Sequence, residues 1–219
     1  IVAKATWTSV LDRTALRGDS ENLFELRPQQ ATHLRLNIFP DGGVARLRVL
    51  GEVTPDWEAL RRAGGDVDLA AVDHGGLVVA CSDMFFGTMH NLILPGPSRG
   101  MHDGWETKRR RGPGHDWVVV RLARPASIRR IEVDTSHYKG NAPGHCSLDR
   151  CARPMNASLG VEASTAWPWQ PLLAETPLQP HTRHTFETKV ATDVTTFVRL
   201  NIFPDGGVAR LRVFGRITD

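Results

Sequence analysis

The sequence predicts an all-β protein, a jelly-roll β-sandwich arranged as a tandem repeat whose first copy is incomplete. Three observations lead there. Short runs rich in β-branched residues are separated by Gly, Pro, Asn or Asp, the punctuation of strands and turns. Long irregular stretches lie between those runs, as in a sandwich and unlike a helical or βαβ protein. And the segment RLNIFPDGGVARLRV occurs twice, at 35–49 and at 199–213.

Taken in order, the predicted strands of the longer copy are VVVRLA (118–123), IRRIEVDTS (128–136), FVRLNIFP (197–204) and VARLRVFG (208–215). PDGG (204–207) reads as a turn, with Pro204 fixing φ and Asp205 and the glycines supplying positive-φ positions. In the last strand Arg210 and Arg212 share one face, which is expected to point to solvent. Between the copies, TPDWEALRRAGGDVD predicts a helix of about two turns, capped by Thr54, begun at Pro55 and ended by Gly64-Gly65.

The repeat extends upstream of the identical segment. Trp7, Leu11, Thr14, Leu16 and Phe24 pair with Trp169, Leu173, Thr176, Leu178 and Phe186, with a two-residue gap near Gly18. Identity at so long a period indicates duplication of a whole domain, not a solenoid of short units. The predicted organisation is 1–53, the C-terminal part of a first repeat; 54–66, a linker with a short helix; and 67–219, a complete second repeat. Nothing before Ile1 corresponds to the stretch 77–159. Residues 1–53 are too few to bury a good core, so the chain is expected to be a fragment.

Composition excludes little but is consistent with a soluble globular protein: of 219 residues, 41% are hydrophobic and 23% charged. A net charge of +3 is too small to imply a polyanionic partner. No apolar run approaches the ~20 residues of a membrane-spanning helix. No secretory leader is visible, although the sequence opens at Ile1. The three cysteines, Cys81, Cys146 and Cys151, form no disulfide framework and no zinc spacing. They are expected to be reduced thiols in a cytoplasmic protein.

Unusual polar residues gather in four stretches of the longer copy: CSDMFFGTMHNLI (81–93), DGWETKRRRGPGHDW (103–117), DTSHYKGN (134–141) and RLNIFPDGG (199–207). Asp134 ends a predicted strand, where a carboxylate is either a turn-former or a functional group; His137, Lys139 and Asn141 follow closely, and Gly140 permits close approach to a ligand. His115 and Asp116 precede the strand VVV, a pair that by itself reads as hydrogen-bonded structure. Trp117 is expected in the core, and Trp105 either in the core or in a pocket wall. Glu106 is either an ion-pair partner of the neighbouring cations or a general acid or base tuned by them. The run Lys108-Arg109-Arg110-Arg111 has three readings: a nucleic-acid contact, a solvated loop, or forks that seize a small carboxylate. A single run flanked by Glu, Asp and Pro lacks the repeated cations and aromatics that nucleic acid requires. His90, His102, His115, His137 and His145, with Asp83 or Asp103, show no metal-ligand spacing, so a divalent metal is unsupported and no cofactor is predicted.

Together, SDMFFG with HNLI, DGWETKRRRGPGHDWVVVRL, IEVDTSHYKGNAPGHCSL and RLNIFPDGGVARLRVFG resemble the allantoicase family, across essentially all of residues 77–215. Residues 7–51 resemble the end of that family's first repeat. The resemblance implies tandem jelly rolls of galactose-binding-like topology, hydrolysis of allantoate to ureidoglycolate and urea in purine breakdown through allantoin, and a homo-oligomer; on the residues themselves, no nucleic-acid and no membrane partner is expected. The absent front of the first repeat is the departure from the family's pattern, and it bears on any site built between repeats. For this chemistry the expected catalytic residues are Glu106, Asp134, His137 and His115. The expected substrate-binding residues are Arg109, Arg110, Lys139, Asn141, Asp83 and Asn201. In that scheme the arginines, with Lys139, hold the carboxylate. Glu106 or His137 moves protons, Asp134 orients that partner, and Asn141 grips ureido oxygens. The alternative is a non-catalytic jelly-roll module that binds a small, carbohydrate-like ligand.

Overall fold

The computed structural model describes residues 5–157, 166–188 and 194–217. Ile1 and Asp219, the outer limits of the predicted repeats, lie outside them. The chain forms two compact units, residues 1–50 and 51–219.

The second unit is the predicted all-β sandwich. Among the described residues its ten strands are β1 (Val67–Asp68), β2 (Leu77–Cys81), β3 (Trp105–Glu106), β4 (Asp116–Asp134), β5 (His145–Cys151), β6 (Gln170–Pro177), β7 (Arg183–Glu187), β8 (Thr195–Phe203), β9 (Gly207–Val208) and β10 (Arg210–Ile217), and the pairings between them are antiparallel. Two of the predicted strands merge into β4, which serves both layers of the sandwich. Its first half, Asp116–Arg121, pairs β2 and β8, and β8 continues to β5 and β6. Its second half, Ala126–Asp134, pairs β10 and β7. The register shift between Arg121 and Ala126 is the corner at which the strand changes layer.

Alternation along the strands fills the space between the layers. Val118, Val120, Leu122, Ile128, Ile131 and Val133 of β4 meet Leu148, Val198, Leu200, Ile202, Leu211 and Val213 in one buried cluster. Trp105 is fully buried beside them, which settles it as core, and its Nε1–H donates to the Asp83 carbonyl at 2.8 Å. Trp117 is only half-buried, packed with Trp169 against a smaller cluster of Val119, Cys151, Trp167 and Phe197 on the opposite face. Cys146 and Cys151 are buried and Cys81 half-buried, all as free thiols. Burial pushes the Cys146 thiol up to about 12 and, with the Asp83 charge, the Cys81 thiol up to about 11.

Two local expectations are corrected. The helix, α1, spans Trp57–Ala63 and is capped by Asp56, not Thr54: the Asp56 carboxylate accepts the Ala59 N–H at 2.8 Å. Pro55 lies outside the helix, so Thr54 is too far upstream to reach a free N–H of the first turn. Gly64, at φ 71, ends the helix as expected. On β10, Arg210 and Arg212 do share a face, but they do not point to solvent: Arg210 is 3% exposed, and its guanidinium is bound to the Asp103 carboxylate and carbonyl and to the Gly96 carbonyl.

The first unit has no helix or strand among its described residues. Its copy of the repeated segment exposes Leu36 (50%), Leu47 (57%) and Val49 (56%), whereas the equivalent Leu200, Leu211 and Val213 are each 0% exposed.

Candidate functional site

The turn from Pro204 to Arg210 is the hub on which the four polar stretches meet. Because β4 turns a corner, its two ends return to this turn from different layers. The Asp116 N–H donates to the Pro204 carbonyl at 3.2 Å, and the Ala209 N–H donates to the Asp134 carbonyl at 2.7 Å. Between them β3 pairs β9, setting Glu106 opposite Gly207, and the Gly207 N–H donates to the Asn141 carbonyl at 2.9 Å. The stretch 81–93 joins through Phe86 and Gly87, whose N–H groups donate to the Glu106 carbonyl, both at 3.1 Å. Glycine is required at 207, because a Cβ there would lie 2.0 Å from the Tyr138 ring.

Beside Asp116 the basic run forms the wall of a cavity of about 290 Å³, lined by Lys108, Arg109, Arg110 and Arg111 together with Asp83 and Asp116. Two members of the run are tied back to acids. The Asp83 carboxylate accepts the N–H groups of Lys108 (2.8 Å) and Phe85 (3.2 Å) and lies 3.4 Å from the Lys108 ammonium. Burial raises its pKa, but those hydrogen bonds and the Lys108 charge outweigh burial and hold it below the usual carboxylate value. Arg110 donates its backbone N–H to Asp205 at 2.9 Å and its guanidinium to the buried Asp116, which also accepts the Ser82 hydroxyl at 2.9 Å. The Arg110 Nε is buried with no partner. Arg109 and Arg111 are exposed and have no ion pair among the described residues. Asp83, expected to bind substrate, therefore shapes the loop, and the donors left over belong to Arg109, Arg110 and Arg111.

Glu106 is paired with Asn141, whose Nδ2 donates to its Oε1 at 2.6 Å. No cation is bonded to Glu106 among the described residues, so the ion-pair reading does not hold. Tyr138 lies close behind: burial, then the Glu106 charge, push its phenol well above the usual range, and it donates as a neutral hydroxyl to the Met101 carbonyl at 2.8 Å.

The remaining candidates lie apart. The Asp134 carboxylate accepts the Ser136 N–H at 2.8 Å, an Asx turn that opens the stretch 134–141, and it faces a different cavity, of about 340 Å³. His137, at φ 74, is held by its N–H to His181 Nδ1 (2.8 Å) and by Nε2 to the Ser98 carbonyl (3.0 Å). A carbonyl only accepts, so Nε2 carries the proton. Lys139 is exposed and lines neither cavity. His115 packs on Phe203 and meets the buried Asn201 at 3.3 Å, on the outer face of β8, where Asn201 also donates to Ser147 and Asp149. The ten candidates thus share one end of the sandwich or its outer face but do not line one cavity. Sequence reasoning gave no site role to Asp116, read as hydrogen-bonded structure, to Asp205, read as a turn residue, or to Ser82 and Tyr138. The fixed spacing of Asp116 from the run was their only visible signal, since the other contacts span 34 to 95 positions. Among the described residues, no three His, Cys, Asp or Glu side chains are grouped to hold a metal ion. No helix among them is long and apolar enough to cross a membrane.

Comparison with known proteins agrees with this architecture. The family profile described as allantoicase repeat matches residues 2–54 and 67–218. "Probable allantoicase 2" of Burkholderia pseudomallei (strain K96243) is 48% identical over 217 residues, covering 97% of this chain and 63% of that protein. The chain therefore spans a little under two thirds of the length of the curated relatives it matches. The crystal structure of allantoicase from Saccharomyces cerevisiae superposes with a TM-score of 0.63 at 36% identity, over 76% of this chain and 46% of that one. CBM32-3, from a family 31 glycoside hydrolase of Clostridium perfringens, gives 0.50 at 8% identity, over 69% and 95%; this likeness shows the fold alone. On the matched profile and the identity to its relatives, the chain belongs to the allantoicase family.

Proposed function

We propose that the protein hydrolyses allantoate to ureidoglycolate and urea in purine breakdown, at the end of the sandwich organised by the turn Pro204–Arg210. The observation that carries this reading is the juxtaposition on one turn of a cationic cavity and a carboxylate–carboxamide pair free of neutralising cations. Allantoate is a small anion whose central carbon bears a carboxylate and two ureido groups. Arg109 seizes the carboxylate beside the Arg110 guanidinium, which Asp116 holds in position. The Asn141 carboxamide orients Glu106 and takes a ureido group. Glu106 then delivers a proton to the nitrogen whose bond to the central carbon breaks, so that urea leaves, and takes a proton from the water that adds to that carbon. Asp134 and His137 act by fixing the loop that presents Asn141. The assembled enzyme is a cytoplasmic homo-oligomer, and its reduced thiols are structural.

The test is urea release from allantoate by the full-length protein, with and without a chelator. Glu106→Gln should lower kcat by about 10²-fold or more, and Arg109→Ala should mainly raise KM. Wild-type turnover in both variants would remove the proposed roles. Allantoate binding without any urea release would favour the non-catalytic binding module instead.

A further inference from the structure

Glu106 stands in the middle of a three-stranded ribbon. Gly207 of β9 pairs it on one side, and Gly87 bridges it on the other. Side chains directly opposite one another in an antiparallel pair project to the same face, with their Cβ atoms about 5 Å apart, and pack together. Both positions opposite Glu106 are glycine, so neither strand supplies it with a neighbour.

The vacancy over Gly207 is filled from outside the ribbon. A Cβ at 207 would collide with Cε1 and Cδ1 of Tyr138, so the edge of that ring stands where the cross-strand neighbour of Glu106 would be. The hydroxyl continues over Gly104, where a Cβ would collide with it, and reaches the Met101 carbonyl. On the other flank, a Cβ at 87 would run into the Gly104 carbonyl oxygen, so main chain closes that side. The ring is fully buried and fixed at its root: the Tyr138 N–H donates to the Thr135 carbonyl at 3.1 Å, and its own carbonyl accepts the His181 N–H at 3.0 Å. The Glu106 charge acts on the phenol directly, second only to burial in raising its pKa and ahead of Arg210 and Asp103. Asn141, three positions further along the same loop, bonds Glu106 Oε1. One loop therefore supplies both the wall beside Glu106 and the bond to its carboxylate.

We propose that Tyr138 is a positioning residue for Glu106: its ring, and not its hydroxyl, confines the Glu106 side chain to the direction that meets Asn141. The proposal rests on Glu106 as the group that moves protons in the reaction above. The hydroxyl is committed to Met101 and takes no part in that transfer. Tyr138→Phe keeps the ring and loses only the bond to Met101, so it should lower stability but hold kcat within about threefold of the wild type. Tyr138→Leu keeps an apolar side chain and loses the ring edge. It should lower kcat per folded enzyme by about 10- to 100-fold with KM within about threefold, because a misplaced proton donor slows the chemical step while Arg109 still holds the substrate carboxylate. A second measurement needs no change at position 138. Tyr138 is the one tyrosine among the 219 residues, so the chain labelled with ring-¹³C tyrosine gives a single ring signal. That signal should move as the Glu106 carboxylate titrates, and that step should vanish in Glu106→Gln; a step that remains there belongs to Asp103, bonded to Arg210. This decides the contact even if Tyr138→Leu fails to fold. A tenfold loss of kcat in Tyr138→Phe, wild-type kcat in folded Tyr138→Leu, or a ring titration that is the same with and without Glu106 would overturn the proposal. Wild-type turnover in Glu106→Gln would instead remove the reaction assigned to Glu106, while the ring titration, which involves no turnover, would still report on the contact.

Discussion

At the scale of single residues, the basic run is set by the acids it touches. Asp116 is 1% exposed and bonded to Arg110 and Ser82, so one guanidinium of the run is fixed while Arg109 is exposed and makes no ion pair among the described residues. Asp83 does the same for the backbone, drawing in the N–H groups of Phe85 and Lys108. Its carboxyl is held below the unfolded value, as is that of Asp103, where burial opposes and the Arg99 N–H and the Arg210 guanidinium prevail. Protonation of either therefore opposes folding. Their contribution is complete above the ordinary carboxylate range, about pH 4, and is lost as pH falls through the lowered folded values. Asp68 has the opposite sign, since burial raises its pKa. Asp83→Asn should lower stability near neutrality and make the acid-side loss shallower, measured as urea midpoints across the acid range. An unchanged acid slope would show that Asp83 is not a contributor.

At the scale of elements, the β3–β9 ladder is short, two residues on each side, yet it carries Glu106. It is locked by Tyr138, which fills the space a side chain at 207 would occupy and cannot retreat, because it is buried and bonded to Met101. Gly207→Ala should cost about 1–3 kcal/mol, the usual penalty of overpacking, seen as a lower denaturant midpoint with an unchanged slope. A neutral result would mean that β9 is free to shift. The linker helix shows why single-residue boundaries escape sequence reading. Thr54 and Asp56 are both good caps, and only the position of Pro55 relative to the first turn selects Asp56.

At the scale of the whole molecule, one segment of identical sequence has two outcomes. At 199–213 it forms β8 to β10 and buries Leu200, Leu211 and Val213 against β4 and β5; at 35–49 it forms no strand. The tight turn is common to both, with Gly42 at φ 138 and Gly206 at φ 137, so local geometry is written in the local sequence. The strands are not, because counterparts of β4 and β5 occur once in these 219 residues. Hydrogen exchange of this chain should find the amides of Leu200, Ile202 and Leu211 among the slowest and those of Leu36, Ile38 and Leu47 among the fast. Equal protection in the two segments would contradict the difference.

The sequence by itself determined the all-β class, the duplication, the PDGG turn and the polar stretches, because each rests on alternation, glycine and proline chemistry or identity at a distance. Only the tertiary structure decided that Arg210 is a buried and Arg212 a half-buried ion-pair partner, that Asp83 holds a loop, and that Asp134 and Arg110 face different cavities. The reason is physical: β4 turns a corner between Arg121 and Ala126, and which groups its two ends meet depends on contacts many positions away along the chain.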